Sequence, residues 1–263
     1  MKKTLTLLAI LAAIGPAWAA DVVSSNIVGY EKVSLNAGYN MVGVQFTKIG
    51  GDALGLGTVG TMDNETAGFN EDQDFAATMQ IWNGNGYDFY GWSGTSGTDL
   101  LDNSDLDNQW VDANSLEPIT ETAENGSGFW IKMVNPGTVT ISGEVPSTDT
   151  VTVSIVTGYN IVANPYPGAV SIASWGTPDA SFAGFNEDQD FALTMQVWNG
   201  NGYDFYGWSG TSGTDLLDDA TVDNKWVDAN SLEPVNTPIP FGTAVWIKAT
   251  SAGNITFSAP SAD

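Results

Sequence analysis

The residues of this sequence that are equipped for ligand chemistry are aromatic rings and carboxylates. Histidine and cysteine are both missing from its 263 residues. Serine and cysteine hydrolases ordinarily need a histidine base, and zinc and copper sites ordinarily use histidine or cysteine ligands, so these classes are excluded. A glycoside hydrolase needs only two carboxylates, but nothing among the 31 acidic residues marks one pair. We therefore expect a protein that is not an enzyme.

Aromatic residues are concentrated in an eleven-residue segment, WNGNGYDFYGW, that occurs at residues 82–92 and again at 198–208. Its central Asn-Gly-Asn-Gly predicts the turn of a β-hairpin, because these residues tolerate positive φ. If Met79, Ile81, Tyr87 and Phe89 face the core, the remaining rings point outward. The outward set, and thus the predicted ligand site, is Trp82, Tyr90 and Trp92 with their copies Trp198, Tyr206 and Trp208.

Exposed flat rings beside Asn and Asp acceptors suit stacking on sugar rings, with hydrogen bonds to the hydroxyl groups at the rim. The predicted partner is therefore an extracellular glycan or another surface polymer. The alternative is that these rings cover a sheet or pack the two copies together, since aromatic residues on strands usually serve packing.

Carboxylates are concentrated in a second repeated segment, NEDQD, at residues 70–74 and 186–190. Calcium binds oxygen ligands only and suits an acidic extracellular protein, so it is the one cofactor that the sequence suggests. The candidate ligands are Asp72, Asp74, Asp188 and Asp190. The segment lacks the glycine and the terminal glutamate of the helical calcium loop, and a solvated acidic loop is the alternative.

The charge balance restricts the partners further. The formal net charge is −24. Nucleic acid and anionic lipid surfaces are poor partners for such a field, whereas cations and neutral ligands are compatible with it. Solubility outside the cell is the simpler explanation of the charge.

The N-terminus predicts export. Lys2 and Lys3 precede an apolar run from Leu5 to Ile14, and the small-residue site of residues 17–19 (AWA) follows it. This is the pattern of a signal peptide over residues 1–19, and its apolar run is too short to span a membrane. We expect a secreted or cell-surface protein with no membrane span.

The sequence contains two copies of one module. Residues 67–120 return as residues 183–236, with 45 of the 54 aligned positions identical. Weaker similarity extends outward on both sides, which predicts one module at residues 20–146 and a second at 147–263. Two near-identical modules offer two equal sites, so weak binding to a repetitive target becomes avid.

The fold class follows from short alternating runs such as residues 139–141 (VTI) and 255–257 (ITF), separated by Gly, Asn and Asp turns. This pattern predicts an all-β protein with two tandem β-sandwich modules, a small barrel being the alternative. Residues 21–30 precede the first expected strand. They could add a strand to a neighbouring molecule, giving self-association, or close an edge of their own sandwich.

Three segments carry a family resemblance: residues 158–167 (GYNIVANPYP), 197–203 (VWNGNGY) and 242–248 (GTAVWIK). They resemble the GWN/NPYP-type β-sandwich modules of secreted and cell-surface proteins of Bacteroidetes, and residues 25–30 (SNIVGY) are similar to the start of secreted proteins of the Verrucomicrobia. The first copy departs from this pattern, with GVQF at residues 43–46. The resemblance implies an accessory, adhesive or matrix role and supplies no catalytic residue.

These observations together predict a secreted, non-enzymatic binding or adhesion protein that binds carbohydrate through its repeated aromatic hairpins. The alternative is a structural subunit of an extracellular matrix, surface layer or fibre, and a carboxylate-based glycoside hydrolase is the distant alternative.

Overall fold

The protein is all-β, as expected from the sequence. The structure is a computed structural model that describes residues 27–51, 53–63, 68, 75–95, 103–182, 184, 191–211 and 219–260. Within these ranges the regular elements are twenty β-strands and three single-turn 3-10 helices, at Leu56–Thr58, Ser104–Leu106 and Ile172–Ser174. No helix among the described residues is long and apolar enough to cross a membrane. The signal peptide expected at residues 1–19 lies outside the described residues.

The first half of the chain, here called the first repeat, contains ten strands. They are β1 (Val28–Leu35), β2 (Gly38–Gly43), β3 (Leu54–Gly55), β4 (Thr61–Met62), β5 (Ala77–Trp82), β6 (Tyr87–Trp92), β7 (Trp110–Asp112), β8 (Thr122–Ala123), β9 (Gly128–Met133) and β10 (Gly137–Glu144). They form sheets in the order β1-β10-β4, β2-β9-β5-β6-β7 and β3-β8. The pairings in these sheets are antiparallel.

The second repeat contains the ten equivalent strands in the same order. They are β11 (Thr150–Ile155), β12 (Gly158–Ala163), β13 (Val170–Ser171), β14 (Thr177–Pro178), β15 (Leu193–Trp198), β16 (Tyr203–Trp208), β17 (Trp226–Asp228), β18 (Pro238–Ile239), β19 (Ala244–Ala249) and β20 (Gly253–Ser258). Their sheets, β11-β20-β14, β12-β19-β15-β16-β17 and β13-β18, copy those of the first repeat strand for strand.

The small sheets have a propeller-like arrangement of four blades. One core of the first repeat joins both of its larger sheets, with Val139 and Ile141 of β10 packed in the same cluster as Phe129 and Ile131 of β9. A separate cluster does the same in the second repeat. These cores contain no disulfide, because the chain has no cysteine, and are held by apolar burial.

The first strand begins earlier than expected. Val28–Leu35 pairs along its whole length with Gly137–Glu144 of its own repeat. The described part of residues 21–30 therefore pairs within its own repeat, as one of the two alternatives expects, and β1 is the edge strand of its sheet. Burial alternates along this strand, with Glu31 and Leu35 buried and Tyr30 exposed.

The aromatic hairpin forms where the sequence predicts it, between β5 and β6. Asn83 closes the turn, because its side-chain oxygen accepts hydrogen bonds from the backbone N–H groups of Asn85 at 3.1 Å and Gly86 at 2.9 Å. The strand register places Met79 opposite Tyr90 and Trp82 opposite Tyr87. An odd-numbered residue therefore shares a face with an even-numbered one across the turn. The core-facing parity switches from odd in β5 to even in β6.

Candidate functional site

The expected outward orientation is wrong for Tyr90 and Trp92 and for their copies Tyr206 and Trp208. Trp92 is 1% and Tyr90 6% exposed, and both belong to the core of the first repeat. Tyr206 and Trp208 occupy the same places in the second core. The error arises from the switch of parity across the four-residue turn. These four rings are not available to stack on a ligand from solvent.

Trp82 and Trp198, the remaining two of the six predicted site residues, are half-buried between the repeats. They belong to a cluster, called here the inter-repeat cluster, whose members come from the outer faces of both five-stranded sheets: Met41, Trp82, Tyr87, Trp130, Ile161, Ala163, Trp198, Tyr203, Ala244 and Trp246. Trp82 packs edge-on against Trp246 at 5.6 Å between ring centroids, and Trp198 packs in the same way against Trp130 at 5.6 Å. The packing alternative considered for the hairpin rings therefore holds for this pair.

The contact between the repeats is approximately two-fold symmetric. The indole N–H of Trp82 donates a hydrogen bond to the carbonyl of Tyr159 at 2.8 Å, and that of Trp198 donates to the carbonyl of Tyr39 at 3.0 Å. Burial in this cluster raises the pKa of Tyr87 and of the equivalent Tyr203, because the charged phenolate is poorly solvated there.

Backbone groups approach closely at the centre of this contact. The N–H of Gly43 donates to the carbonyl of Gly242, and the N–H of Ala163 donates to the carbonyl of Gly126, both at 2.8 Å. A Cβ atom at Gly43 would lie only 2.5 Å from the Cβ of Ala163, so glycine is needed at this position. The two repeats are thus joined by matched hydrogen bonds as well as by aromatic packing.

Replacing Trp82 by phenylalanine tests the contribution of the indole hydrogen bond. The ring remains apolar and aromatic, but the Tyr159 carbonyl loses its donor, so we expect the free energy of unfolding to fall by about 1 to 2 kcal/mol. Chemical denaturation measures this change, with Trp198→Phe as the symmetry-matched variant. Unchanged stability in both variants would show that these hydrogen bonds do not hold the repeats together.

An exposed aromatic groove lies on the outer face of the five-stranded sheet of the first repeat, beside the inter-repeat cluster, whose Tyr87 ring is 6.4 Å from the Phe89 ring. It has a volume of about 400 Å³ and is lined by Phe75, Thr78, Phe89, Ala113, Asn114, Lys132 and Val134. Phe89 was expected to face the core, but the parity switch places it on the outer face, where it is 44% exposed. We call this feature the Phe89 groove.

The floor of the Phe89 groove depends on Gly91. A Cβ atom at this position would lie 2.2 Å from the ring of Phe75, so the ring occupies the space that a side chain would fill. Phe89 precedes Gly91 by two residues and shares its face of the sheet. The rings of Phe75 and Phe89 therefore lie side by side on the same face of the sheet.

Polar groups border the aromatic floor. Thr78 pairs with Lys132 across β5 and β9, and the ammonium group of Lys132 lies 5.8 Å from the centre of the Tyr39 ring. Asn114 stands on a turn that Asp112 holds, because the Asp112 carboxylate accepts hydrogen bonds from the N–H groups of Asn114 at 2.9 Å and Ser115 at 2.8 Å. These bonds, with that of Ser115 foremost, lower the pKa of Asp112, so the turn remains braced at neutral pH.

The second repeat carries the same arrangement. Phe205 is 43% exposed, the Phe191 ring lies over Gly207, and Lys248 lies 5.9 Å from the ring centre of Tyr159. Asp228 braces the turn of Asn230 with bonds of 3.0 and 2.8 Å. We call this arrangement the Phe205 surface. The chain therefore presents two equivalent aromatic surfaces with polar borders.

Sequence reasoning overlooked the residues of these surfaces. One signal could have identified Phe89: a four-residue turn between Trp82 and Tyr87 makes the core parity switch, so Phe89 and Tyr90 exchange faces. No sequence signal identifies Asn114 or Lys132, because the two join the surface only through strand pairing and the Asp112 turn.

The four calcium candidates Asp72, Asp74, Asp188 and Asp190 lie outside the described residues. Among the residues that are described, no group of three or more acidic side chains is placed to hold a metal ion.

No protein-family model, curated protein or solved structure matches this chain. What the two surfaces do must therefore be argued from their geometry and chemistry.

Proposed function

We propose that the protein is a secreted, non-enzymatic binding protein that attaches to an extracellular glycan through the Phe89 groove and the Phe205 surface. The observation that carries the proposal is the same exposed phenylalanine in both repeats, which in the first repeat lies beside Lys, Asn and Thr side chains. The proposed site is therefore on the exposed face of the hairpin strands, and not on the face that the structure shows to be buried.

The chemistry of these surfaces suits a sugar. An aromatic ring offers its face to the C–H groups of a pyranose, while Asn114 and Lys132 offer hydrogen-bond donors to the surrounding hydroxyl groups. The net charge of −24 favours a neutral glycan over an anionic one. Two equal surfaces on one chain give avidity for a polymer that repeats the same unit.

The proposal includes the finer organisation expected from the sequence. Each repeat is one β-sandwich module, in which the three-stranded sheet packs on the five-stranded sheet over a shared core, and residues 1–19 direct export as a signal peptide. The shared clusters of the two larger sheets in each repeat support the module assignment. Expression with the native N-terminus, followed by mass determination of the exported protein, tests the cleavage after residue 19.

A glycan array tests the binding function. We expect the purified protein to be retained on a set of neutral polysaccharides, and a Phe89→Ala, Phe205→Ala double variant to lose at least about tenfold in apparent affinity, since one aromatic contact contributes about 1 kcal/mol per site. Ile49→Ala is the control, because Ile49 is 64% exposed and does not line the groove. Equal retention of the double variant and the control would contradict the proposal.

A structural subunit is the second candidate function. It is favoured by an apolar patch at the start of the edge strand β1, where Ile27, Val28 and Tyr30 are 69%, 60% and 77% exposed. Such an edge offers pairing to the same edge of another copy. Concentration-dependent assembly that a Val28→Lys substitution abolishes would favour this function, whereas a monomer at all concentrations would exclude it.

A further inference from the structure

A second kind of cavity lies between the repeats, separate from the Phe89 groove. It has a volume of about 890 Å³. One wall comes from residues 31–41 of the first repeat, at the end of β1 and the start of β2. The other wall comes from residues 198–201, at the tip of the second hairpin, and from the loop that contains Pro240, Phe241 and Thr243. We call it the Glu31 groove.

The residues that line the groove include a buried glutamate with one carboxyl oxygen that lacks a hydrogen-bond partner. Glu31 is only 2% exposed, and its Oε2 atom has no hydrogen-bond partner. Its Oε1 atom lies so close to Gly242 that a Cβ atom there would be 2.2 Å away. A buried carboxyl oxygen without a partner is costly, so its presence between the repeats calls for an explanation.

Glu31 distinguishes this groove from its counterpart on the other side of the two-fold contact. Glu31 pairs with Ile141 in the first repeat, and Val151 pairs with Phe257 in the second. Ile141 and Phe257 are equivalent positions of the two repeats, so Glu31 corresponds to Val151. The counterpart groove, of about 610 Å³, is lined by Glu124 and Asn125, whereas the Glu31 groove has Pro240 and Phe241 at the equivalent positions. The duplication supplied two similar cavities, and substitution has given one of them a buried acid, Glu31, and an additional aromatic residue, Phe241.

The side chains of the Glu31 groove indicate the chemical class of its ligand. Three aromatic residues, Tyr39, Trp198 and Phe241, and one acidic residue, Glu31, are among the residues that line the cavity. Aromatic faces and a carboxylate together attract a cation with apolar substituents. A divalent metal ion would need several oxygen ligands, which these rings do not supply. The net charge of −24 also raises the local concentration of cations.

We propose that the Glu31 groove binds a small organic cation of the alkylammonium class, with the Glu31 carboxylate as counter-ion and the rings of Tyr39, Trp198 and Phe241 around its apolar substituents. This site is independent of the glycan-binding surfaces, because the residues that line it are not those of the Phe89 groove. Either proposal can therefore fail without the other.

Binding is coupled to a proton. Burial raises the pKa of Glu31 from 4.5 to about 8, so the carboxyl of the empty groove is protonated at neutral pH. A cation must displace this proton, and its affinity therefore rises about tenfold per pH unit up to about pH 8 and is constant above it. The other titratable groups that line the groove are Lys32, which is exposed on the opposite face of β1, and Tyr39, and the Lys132 ammonium lies 5.8 Å from the centre of the Tyr39 ring.

Isothermal titration of the full-length protein with choline chloride and with tetramethylammonium chloride tests the proposal. The neutral isostere of choline, in which a tert-butyl group replaces trimethylammonium, is the ligand control. We expect both cations to bind, the isostere to bind at least about tenfold more weakly, and the affinity for choline to rise by about two orders of magnitude between about pH 6 and pH 8.

Three variants locate the site. Glu31→Gln removes the charge at constant size, and Glu31→Val introduces the residue that the second repeat has; each is expected to lower the affinity for choline at least about tenfold at pH 8. Glu124→Gln, in the counterpart groove, is the matched control and retains full affinity. Circular dichroism confirms the fold of each variant. The proposal is overturned if neither cation binds, if the neutral isostere binds as well as choline, or if folded Glu31→Gln keeps its affinity.

Discussion

Replacing Trp92 by alanine is expected to lower the free energy of unfolding by about 3 to 5 kcal/mol, the usual cost of removing a large aromatic side chain from a core. Trp92 is 1% exposed and packs edge-on against Trp110 with 5.3 Å between ring centroids. Trp208→Ala should have a similar effect on the second repeat, where Trp208 packs against Trp226 at 5.5 Å. Denaturation in urea, followed by circular dichroism, measures both changes.

Phe89→Ala is the matched control for this prediction, because Phe89 lies on the same strand, three residues before Trp92, but on the exposed face. Its removal should change stability by less than about 1 kcal/mol, as is usual for a side chain that is largely outside the core. Comparison of the Trp92→Ala and Phe89→Ala variants separates the effect of a side chain on core packing from its effect on glycan binding. A stable Trp92→Ala variant that has lost glycan retention would mean that Trp92 is a binding residue, contrary to its burial.

Glu31→Gln is expected to raise the free energy of unfolding at pH 7 by about 3 kcal/mol. In the native protein Glu31 holds a proton up to about pH 8, whereas in the unfolded chain it releases that proton near its ordinary value of 4.5. The native state therefore binds more protons than the unfolded state throughout this window. Stability falls by about 1.4 kcal/mol per pH unit as the pH rises from 4.5 to 8, and it is constant above that range. Glutamine does not titrate, so the variant lacks this decline.

Urea denaturation of both proteins at a series of pH values measures the effect. Near pH 4 the two stabilities should be similar, and the difference should grow with rising pH until about pH 8. Glu117→Gln is the control, because Glu117 is exposed on the turn after β7. A constant difference between Glu31→Gln and the parent protein at every pH would show that packing or hydrogen bonding of the amide, and not the proton, causes the change.

The two Glu31 experiments also separate stability from function. Proteins commonly retain groups at binding sites that reduce stability, because a ligand later satisfies them. The Glu31 groove fits this pattern if Glu31→Gln stabilises the protein and abolishes binding of choline. If the variant is more stable and binds choline as well as the parent does, the buried carboxyl is a structural cost without the proposed role.

Local sequence features were sufficient to predict the all-β class, the duplication and the hairpin between β5 and β6. Alternation of apolar residues reports strands directly, because successive side chains of a strand point to opposite faces. The Asn83 turn is also a local event, since its hydrogen bonds join residues at most five positions apart. The identity of the two copies required the same topology in both, and the same sheet orders are found.

The sequence alone did not determine which face of the hairpin is buried or how the repeats meet. The face of Trp92 and Phe89 depends on the register across the turn, where one residue of shift exchanges every side chain between core and solvent. Trp82 was assigned to a surface that the second repeat covers, through contacts such as its hydrogen bond to Tyr159, 77 positions away. Glu31 has no distinctive sequence context, and Gly242 of the other repeat packs against its carboxyl only in the folded chain. The sequence therefore determined the strands and their repetition, whereas the tertiary structure decided burial, because burial depends on groups that are far apart in the chain.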